Sequence, residues 1–239
     1  MQHQLKASRE LALLVPGIAS IRSYLQKTLL MPAVLKQIAA SSYSHPNRFV
    51  KIDLGSMLSK HHVNRIHIWH ESATGYSDVH NHRWHFKSLV LAGSLQERLY
   101  KLSESKDAQP FFEMEYKRST LSSFQLVPTQ VEQLECVQTI NHRAGAIYSR
   151  DAEALHSVRC ASAYAATWFA TTQVNRDFSE VYKRSVENPQ VSYLIQQEPL
   201  SIIETKDAIE ELLSKLALHP TIKKSCNLKL MRSREPELV

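Results

Sequence analysis

Hydrophobic positions recur at helical spacing near the start of the chain. Ile18, Ile21, Leu25 and Leu29 lie three or four residues apart, the spacing that places side chains on one face of an α-helix. Prolines before and after this segment are typical start and stop signals for a helix. The pattern predicts an N-terminal helical segment, which we place at residues 1–48.

From Val50 onward the pattern changes to short runs rich in β-branched and aromatic residues. Turn signals such as Ala92-Gly93 and the segment from His142 to Gly145 separate the runs. The predicted strands are residues 62–71, 84–91, 94–101, 111–117, 121–127, 131–139 and 163–171. Short strands at even spacing are typical of a closed barrel or jelly roll rather than of alternating β and α units.

A second helical pattern follows the strands. Ser201 and Glu204 have the spacing of a capping box, and Ile209 and Leu212 begin an apolar face. Residues after Pro220 are predicted to form a loosely held basic tail. The pattern therefore ends in one amphipathic helix and a tail.

Together these elements predict a single domain with an all-β core. Its parts are the helical segment at 1–48 packed on the barrel, a jelly-roll barrel at 49–200, and the helix and basic tail at 201–239. The length of 239 residues fits one barrel with helical additions. Apolar residues make up 43% and charged residues 22%, a balance typical of a globular chain that buries a core.

The charge argues against a nucleic-acid partner. The formal net charge is +6, but the basic residues are scattered and cluster only near the C-terminus, as at Lys223 and Lys224. A nucleic-acid binder more often has a basic stripe interleaved with aromatic residues. We interpret the charge as aiding solubility, with a mild preference for anionic ligands.

Cysteine usage favours a reducing compartment. Cys136, Cys160 and Cys226 are odd in number and lack the CxxC spacing, so a disulfide scaffold is not expected. The apolar run 11–15 is too short to span a bilayer, and the charged residues near it make a signal peptide a weak interpretation. The sequence predicts a cytoplasmic protein without a membrane partner.

Histidines carry the clearest chemical signal. The chain has 12 of them, and His80 and His82 form an HxH pair, which we interpret as lying on a strand just before the run at 84–91. Alternate side chains of a strand point the same way, so both imidazoles can reach one metal ion at about 2.0–2.2 Å. Two ligands bind weakly, and His156, which follows an acidic turn and enters the next strand, is the candidate for a third. The alternative is a chance HxH pair and a hydrogen-bonded structural His156.

Two segments resemble the motifs of the cupin superfamily. Residues Gly75 to Gly93 are similar to the first motif, with a glycine, the HxH pair and a glycine eleven residues later. Residues Gly145 to His156 are similar to the second motif, which supplies the last histidine ligand. Among cupins both segments look most like the cysteine dioxygenase group, including the Leu-His-Ser-Val sequence that ends at Val158. The resemblance implies a cupin barrel and an iron(II) oxygenase.

The chain departs from this group in ways that leave its substrate unassigned. Many cupins place a glutamate ligand four residues after the second histidine, where this chain has Phe86. Thiol dioxygenases also lack that carboxylate, so three neutral histidines fit them and favour an anionic or chelating substrate. The tyrosine expected after the third ligand has no counterpart in Thr167-Trp168-Phe169, and Arg65 and Arg83 are only positional candidates for an arginine that binds a carboxylate.

Two further residues receive candidate catalytic roles. Tyr148 is placed to donate a hydrogen bond to bound oxygen, although a buried structural tyrosine is the alternative. His85 is expected to support the ligands rather than to act as a fourth ligand. The predicted partners are a small-molecule substrate and O2.

Other interpretations remain open. The metal is predicted to be iron(II), with zinc, manganese and nickel as alternatives. The chain is alternatively a small-molecule-binding cupin without activity, or a zinc or manganese isomerase or hydrolase, because a fold does not fix a function. Assembly into a homodimer is also left open.

Overall fold

The computed structural model describes residues 15–55, 63–70, 75–105, 107–119, 123–172, 176–186 and 190–217. The predicted basic tail lies outside these residues, as do His61 and His62, which the sequence predicts to be surface residues at a strand start. The proposed division of the chain at residues 48 and 200 stays a prediction.

Three helices border the strands within the described residues: α1 (Ile18–Leu29), α2 (Pro32–Ser41) and α3 (Ile202–Ala217). The capping box before α3 is confirmed. The backbone N–H of Ser201 donates to Glu204 Oε2 at 2.7 Å, and the backbone N–H of Glu204 donates to Ser201 Oγ at 3.1 Å. No described helix is both long and apolar enough to cross a lipid bilayer.

Thirteen strands lie between the helices in the described part of the chain. They are β1 (Tyr43–His45), β2 (Phe49–Gly55), β3 (Val63–His70), β4 (Val79–His80), β5 (Phe86–Ala92), β6 (Ser94–Leu102), β7 (Gln109–Arg118), β8 (Ser123–Arg143), β9 (Ile147–Arg150), β10 (Leu155–Cys160), β11 (Tyr164–Thr171), β12 (Phe178–Lys183) and β13 (Tyr193–Gln196).

The strands form two antiparallel sheets. Sheet A has the order β1-β2-β3-β11-β5-β9, and sheet B has the order β13-β8-β6-β10-β4-β12-β7. Strand β8 pairs with β7 and β13 through its first part and with β6 through its second part, which closes sheet B into a ring. The arrangement is an all-β, jelly-roll barrel with helices at both ends, as the sequence predicts.

One pair of predicted strands is wrong. The sequence predicts separate strands at 121–127 and 131–139, but both belong to β8. Pro128, whose missing N–H suggests a break, pairs with Met114 where the register between β7 and β8 shifts. A proline is tolerated at such an irregularity because no ladder hydrogen bond is needed there.

The main apolar core lies between the three helices and one face of sheet A. Ile66 and Ile68 of β3 and Trp168 of β11 belong to one buried cluster with Leu25 of α1 and Leu212 of α3. The alternate side chains of these strands point to the opposite side of the sheet, into the barrel. Sheet A is therefore covered on both faces. One face packs against the helices, and the other faces the interior of the barrel.

The turn between β5 and β6 requires a glycine. Gly93 has φ of +69°, and a Cβ atom there would lie 1.8 Å from the carbonyl oxygen of Tyr164. The next backbone N–H, of Ser94, donates to Ser162 Oγ at 2.9 Å. This turn carries the chain from sheet A to sheet B and fixes the start of β6.

Candidate metal centre

The three predicted ligands come from two paired strands and the loop after one of them. His80 is the last residue of β4 and lies opposite His156 of β10 in the strand register. His82 follows in the loop, where its backbone N–H donates to the carbonyl oxygen of Ala152 at 2.9 Å. This contact holds the loop against the segment that leads into β10.

The strand predicted to run through the histidine pair is interrupted. Strand β4 ends at His80 and β5 begins at Phe86, so strand alternation does not align the pair as predicted. The buried Asn81 anchors the loop instead. Its side chain donates to Glu180 Oε2 at 2.7 Å and accepts from the backbone N–H of Glu180 at 2.7 Å. His80 and His82 flank Asn81, so the anchored loop, rather than strand alternation, brings the two imidazoles together.

The three imidazoles form a compact group. The ring centroids are 4.9 Å apart for His80 and His82, 4.8 Å for His80 and His156, and 5.1 Å for His82 and His156. His82 Nε2 lies 2.9 Å from His156 Nε2, and one ligand atom of each residue lies within 4.8 Å of the other two. The structure thus brings together the residues that the sequence assigns to the metal.

Hydrogen bonds fix which nitrogen faces the centre. His80 Nδ1 lies 2.9 Å from the carbonyl oxygen of Asp78, and His156 Nδ1 lies 2.8 Å from Glu97 Oε1. A carbonyl oxygen and a carboxylate only accept, so both Nδ1 atoms donate. The Nε2 atoms of His80 and His156 then carry the lone pairs that a metal requires.

Burial keeps the ligands in the metal-binding form. Desolvation, together with the neighbouring His156, lowers the pKa of His80 to about 3. Desolvation also lowers the pKa of His82 well below its usual value, with His80 and His156 adding to the effect. Both side chains are therefore neutral near pH 7, and a neutral imidazole binds metal without first releasing a proton.

Glu97 is the centre of a buried network behind the ligands. Its side chain is fully buried on β6 and contacts three groups: His156 Nδ1 at 2.8 Å, His142 Nε2 at 2.8 Å, and the guanidinium of Arg150, whose Nε donates at 3.0 Å. Burial alone would raise the pKa of Glu97, but hydrogen bonds from His142 and His156 lower it overall. Glu97 is thus a carboxylate that orients the His156 ring.

Glu97 was not predicted from the sequence, although the pattern contains a signal for it. Glu97 lies two residues after Leu95 on a predicted strand, so both side chains point to the same face. Leu95 is fully buried. A carboxylate at an inward position needs buried partners and could have been flagged as functional.

Tyr148, one of the two predicted catalytic residues, packs on this network, and His85, the other, contacts the segment that leads into β10. The Tyr148 ring stacks on His142, with centroids 4.0 Å apart, and desolvation and the Glu97 charge raise its pKa. His85 Nδ1 accepts from the backbone N–H of Ala152 at 3.2 Å. Neither is among the described residues that line the cavity beside the ligands. Their catalytic roles stay predictions.

Phe86 packs directly against the ligands. It is fully buried, its ring centroid lies 4.8 Å from that of His82 and 5.6 Å from that of His156, and it stacks on Phe169 at 4.5 Å. A phenyl ring therefore occupies the neighbourhood where the resemblance would place a carboxylate ligand. It offers the metal no donor atom and keeps the site apolar.

A cavity of about 440 Å³ opens beside His80 and His82 and is lined by both sheets. The described lining residues include four cationic side chains, Lys51, Arg65, Arg83 and Lys183, and two carboxylates. Lys183 Nζ lies 2.6 Å from Asp78, and Lys51 Nζ lies 2.9 Å from Asp53. The positional candidates Arg65 and Arg83 thus lie in the cavity wall. The sequence analysis missed Lys51 because it did not recognise β2.

The residues fit one divalent metal ion. Ligands bound to one ion at about 2.0–2.2 Å lie roughly 3–4.4 Å apart, so small rotations of the three rings would suffice. Three neutral imidazoles suit iron, zinc, nickel or copper. The donor set and its spacing therefore support a metal centre without identifying the metal.

Comparisons with known proteins add little beyond this geometry. No family model matches the sequence, and no curated protein is significantly similar to it. Solved structures with a related arrangement include cupins. An oxalate oxidase is 14% identical, with a TM-score of 0.37 over 73% of this chain and 75% of that one. A cupin superfamily protein from Desulfitobacterium hafniense DCB-2 is 8% identical, with a TM-score of 0.30 over 54% of this chain and 81% of that one.

A hydroquinone 1,2-dioxygenase from Sphingomonas sp. TTNP3 is 14% identical, with a TM-score of 0.32. The match covers 51% of this chain and 64% of that one, so this chain spans less than two thirds of the dioxygenase. Likeness at this level assigns no ligand and no activity. The similarity to the cysteine dioxygenase group stays a prediction from the motifs.

Proposed function

We propose that this protein is a non-haem iron oxygenase that acts on a small anionic molecule. The observation that carries the proposal is the convergence of three imidazoles, His80, His82 and His156, beside a cavity lined by both sheets. The three histidines are buried or half-buried, and His80 and His156 donate hydrogen bonds to acceptor groups behind them. A site of this kind is typical of a resident metal with a substrate pocket next to it.

The metal would bring the reactive chemistry. An iron(II) ion held by these three ligands would leave adjacent positions for substrate and O2 and would supply one-electron steps. The chain itself orients His80 through the Asp78 carbonyl group and His156 through Glu97. Phe86 and Phe169 exclude water from the side of the ligands that they cover.

The charge of the cavity supports an anionic substrate. Four cationic side chains and two carboxylates line it within the described residues, and the histidines in its wall have lowered pKa values. Three neutral ligands leave the charge of a divalent ion uncompensated. A bound anion would offset the positive charge of the cavity wall and the positive charge of the metal ion, in a site shielded from water.

The proposal can be tested with purified protein and a stable analogue of O2. The protein is prepared without a chelating tag, its metals are measured, and it is then loaded with iron(II) under nitrogen and exposed to nitric oxide. We expect about one iron per chain and the paramagnetic resonance signal of an iron–nitric oxide adduct, which requires an open coordination position. The His82→Ala variant should lose both, and His70→Ala, an exposed histidine paired with Glu211, should keep both.

Two results would overturn the proposal. Full occupancy by zinc after purification, with no nitric oxide adduct after iron loading, would favour a zinc isomerase or hydrolase. Failure of the wild-type protein to bind any divalent metal would favour a binding protein without a metal.

A further inference from the structure

We propose that the substrate is an amphiphilic organic acid, in which the anionic group is attached to an apolar group the size of one or two aromatic rings. This inference rests on the proposed function for the reaction. The binding preference itself follows from the walls of the cavity and applies with or without a metal.

The volume of the cavity favours a substrate larger than a few atoms. At about 440 Å³ it falls within the range of roughly 300–1,000 Å³ that is typical of pockets for ligands of drug size. A substrate of a few atoms would bind near His80 and leave most of the cavity filled with water. The space predicts a ligand that extends away from the histidines.

Most of the wall formed by sheet B is apolar, and the one cationic side chain that it contributes to the described lining, Lys183, is paired with Asp78. Phe124 of β8 pairs with Ile195 of β13, and Leu126 of β8 pairs with Tyr116 of β7, so these side chains share one face. Phe124 and Tyr116 stack with centroids 4.4 Å apart. Val181 of β12, opposite His80 in the register, extends the same wall to the ligands. Water next to such a wall forms few hydrogen bonds with it, so an apolar group of a ligand should displace that water.

The wall formed by sheet A carries a buried cluster of charge. Lys51, Asp53 and Arg65 are 10%, 15% and 13% exposed in their side chains. Lys51 Nζ and Arg65 Nε lie 2.9 Å and 3.7 Å from the same Asp53 oxygen, so two positive charges meet one negative charge. A net charge in a site shielded from water costs desolvation free energy unless an opposite charge balances it. A ligand with one negative charge would balance it.

The two walls are therefore complementary to different parts of one ligand: the sheet B wall to an apolar group and the sheet A wall to an anionic group. An acid without an apolar part would leave the sheet B wall wet, and a neutral apolar molecule would leave the excess charge of sheet A in place. Sheet A also carries aromatic rings, including those of Phe49 and His67, whose centroids are 4.5 Å apart. They give the apolar part of the ligand a second flat surface near the charged cluster. An aryl acid satisfies both walls at once.

The test compares probes that differ in one property each. Binding of benzoate, 2-naphthoate, acetate and benzyl alcohol is measured by calorimetry, with zinc-loaded and with metal-free wild-type protein. We expect the two aryl acids to bind at least about tenfold more tightly than acetate, which lacks the ring, and than benzyl alcohol, which lacks the charge. The order should be the same with and without zinc.

Matched variants then separate the two walls. Ile195→Thr should weaken benzoate binding about threefold to tenfold, whereas Leu194→Thr, at a 60% exposed neighbour on the outer face, should leave it unchanged. Lys51→Met should weaken benzoate binding about tenfold and leave benzyl alcohol unaffected, and Lys101→Met, at an exposed site, should change neither. The probe series on wild-type protein decides the question even if a variant does not fold.

Three outcomes would overturn the inference: acetate binding within about threefold of benzoate, benzyl alcohol binding within about threefold of benzoate, or no binding of either aryl acid. These outcomes are independent of the oxygenase proposal. Failure to bind nitric oxide after iron loading would end that proposal and leave a preference for aryl acids intact. Conversely, an iron–nitric oxide adduct in a protein that prefers acetate would end only the substrate inference.

Discussion

The two faces of sheet A are made by the same strands and have opposite chemistry. On the side of the helices, Ile66, Ile68 and Trp168 are at most 1% exposed and belong to the apolar core. On the side of the cavity, their immediate neighbours in sequence include Arg65, His67 and Phe169. A shift of one residue along the chain moves a side chain from one environment to the other.

The difference shows how the barrel can hold polar groups that are costly to bury. Ionised and neutral polar side chains on the cavity face oppose folding unless they find partners. The helix-facing side buries several large apolar residues, each of which favours folding by about 1.5–3 kcal/mol. We infer that the helices stabilise the sheet so that its other face can serve a ligand, and the following experiments test this separation.

The largest effect is expected from truncation on the helix-facing side. Trp168→Ala should lower the free energy of unfolding by about 3–5 kcal/mol, because Trp168 is fully buried among the helices. The protein that remains folded should bind metal with unchanged affinity. Urea unfolding and metal titration measure the two quantities. A loss of metal affinity as large as the loss of stability would mean that the two faces are not separable.

Truncation of a ligand should give the reverse pattern. His80→Ala and His156→Ala should each weaken metal binding by about a hundredfold or more, while the unfolding of the metal-free protein changes little. His70→Ala, on the helix-facing side beside Glu211, is the control and should keep its metal. Retention of metal by His156→Ala together with its loss from His85→Ala would contradict the assignment of the third ligand.

A smaller effect is expected behind the ligands. Glu97→Gln keeps the shape of the side chain but removes the charge that orients His156, so metal affinity should fall about tenfold to a hundredfold. Nitrogen NMR of the metal-free protein should show His156 with its proton on Nδ1 in the wild type and a mixture in the variant. Glu135→Gln, at an exposed glutamate paired with Lys101, should change neither measurement.

The smallest effect concerns acid stability. Burial lowers the pKa of His67 well below its usual value of about 6.5, with the charge of Arg65 adding to the effect. Below about pH 6.5 the unfolded chain gains a proton that the folded chain does not, so stability is lost as the pH falls. Replacing His67 by phenylalanine should reduce this loss by up to about 1.4 kcal/mol per pH unit in metal-free protein. Urea unfolding at about pH 7.5 and about pH 5 measures the loss, and an unchanged loss would contradict the assigned burial.

Periodicity alone was sufficient for much of the fold. The helical spacing around Ile21 and the capping box at Ser201 each predicted an element that the structure contains. The two halves of β8 were mistaken for separate strands because Pro128 lacks a backbone N–H, which in a local pattern indicates the end of a strand. Only the partner strand shows that no hydrogen bond is needed there.

The candidate site was predictable where its signal was local. The HxH pair lies within three residues, and motif resemblance supplied His156. The contacts of Asn81 with Glu180 and of Glu97 with His142 join residues far apart in the chain, and no spacing rule predicts them. Such partners are set by strand order, which a single sequence specifies only weakly.

The closure of sheet B by β8 also affects how the molecule meets its neighbours in a crowded solution. With sheet B closed by the pairing of β8 with β7, the strands that end a sheet in the described part of the chain are β1, β9 and β13. They have three, four and four residues, whereas β8 has 21. Short edges offer few open N–H and C=O groups to a second chain.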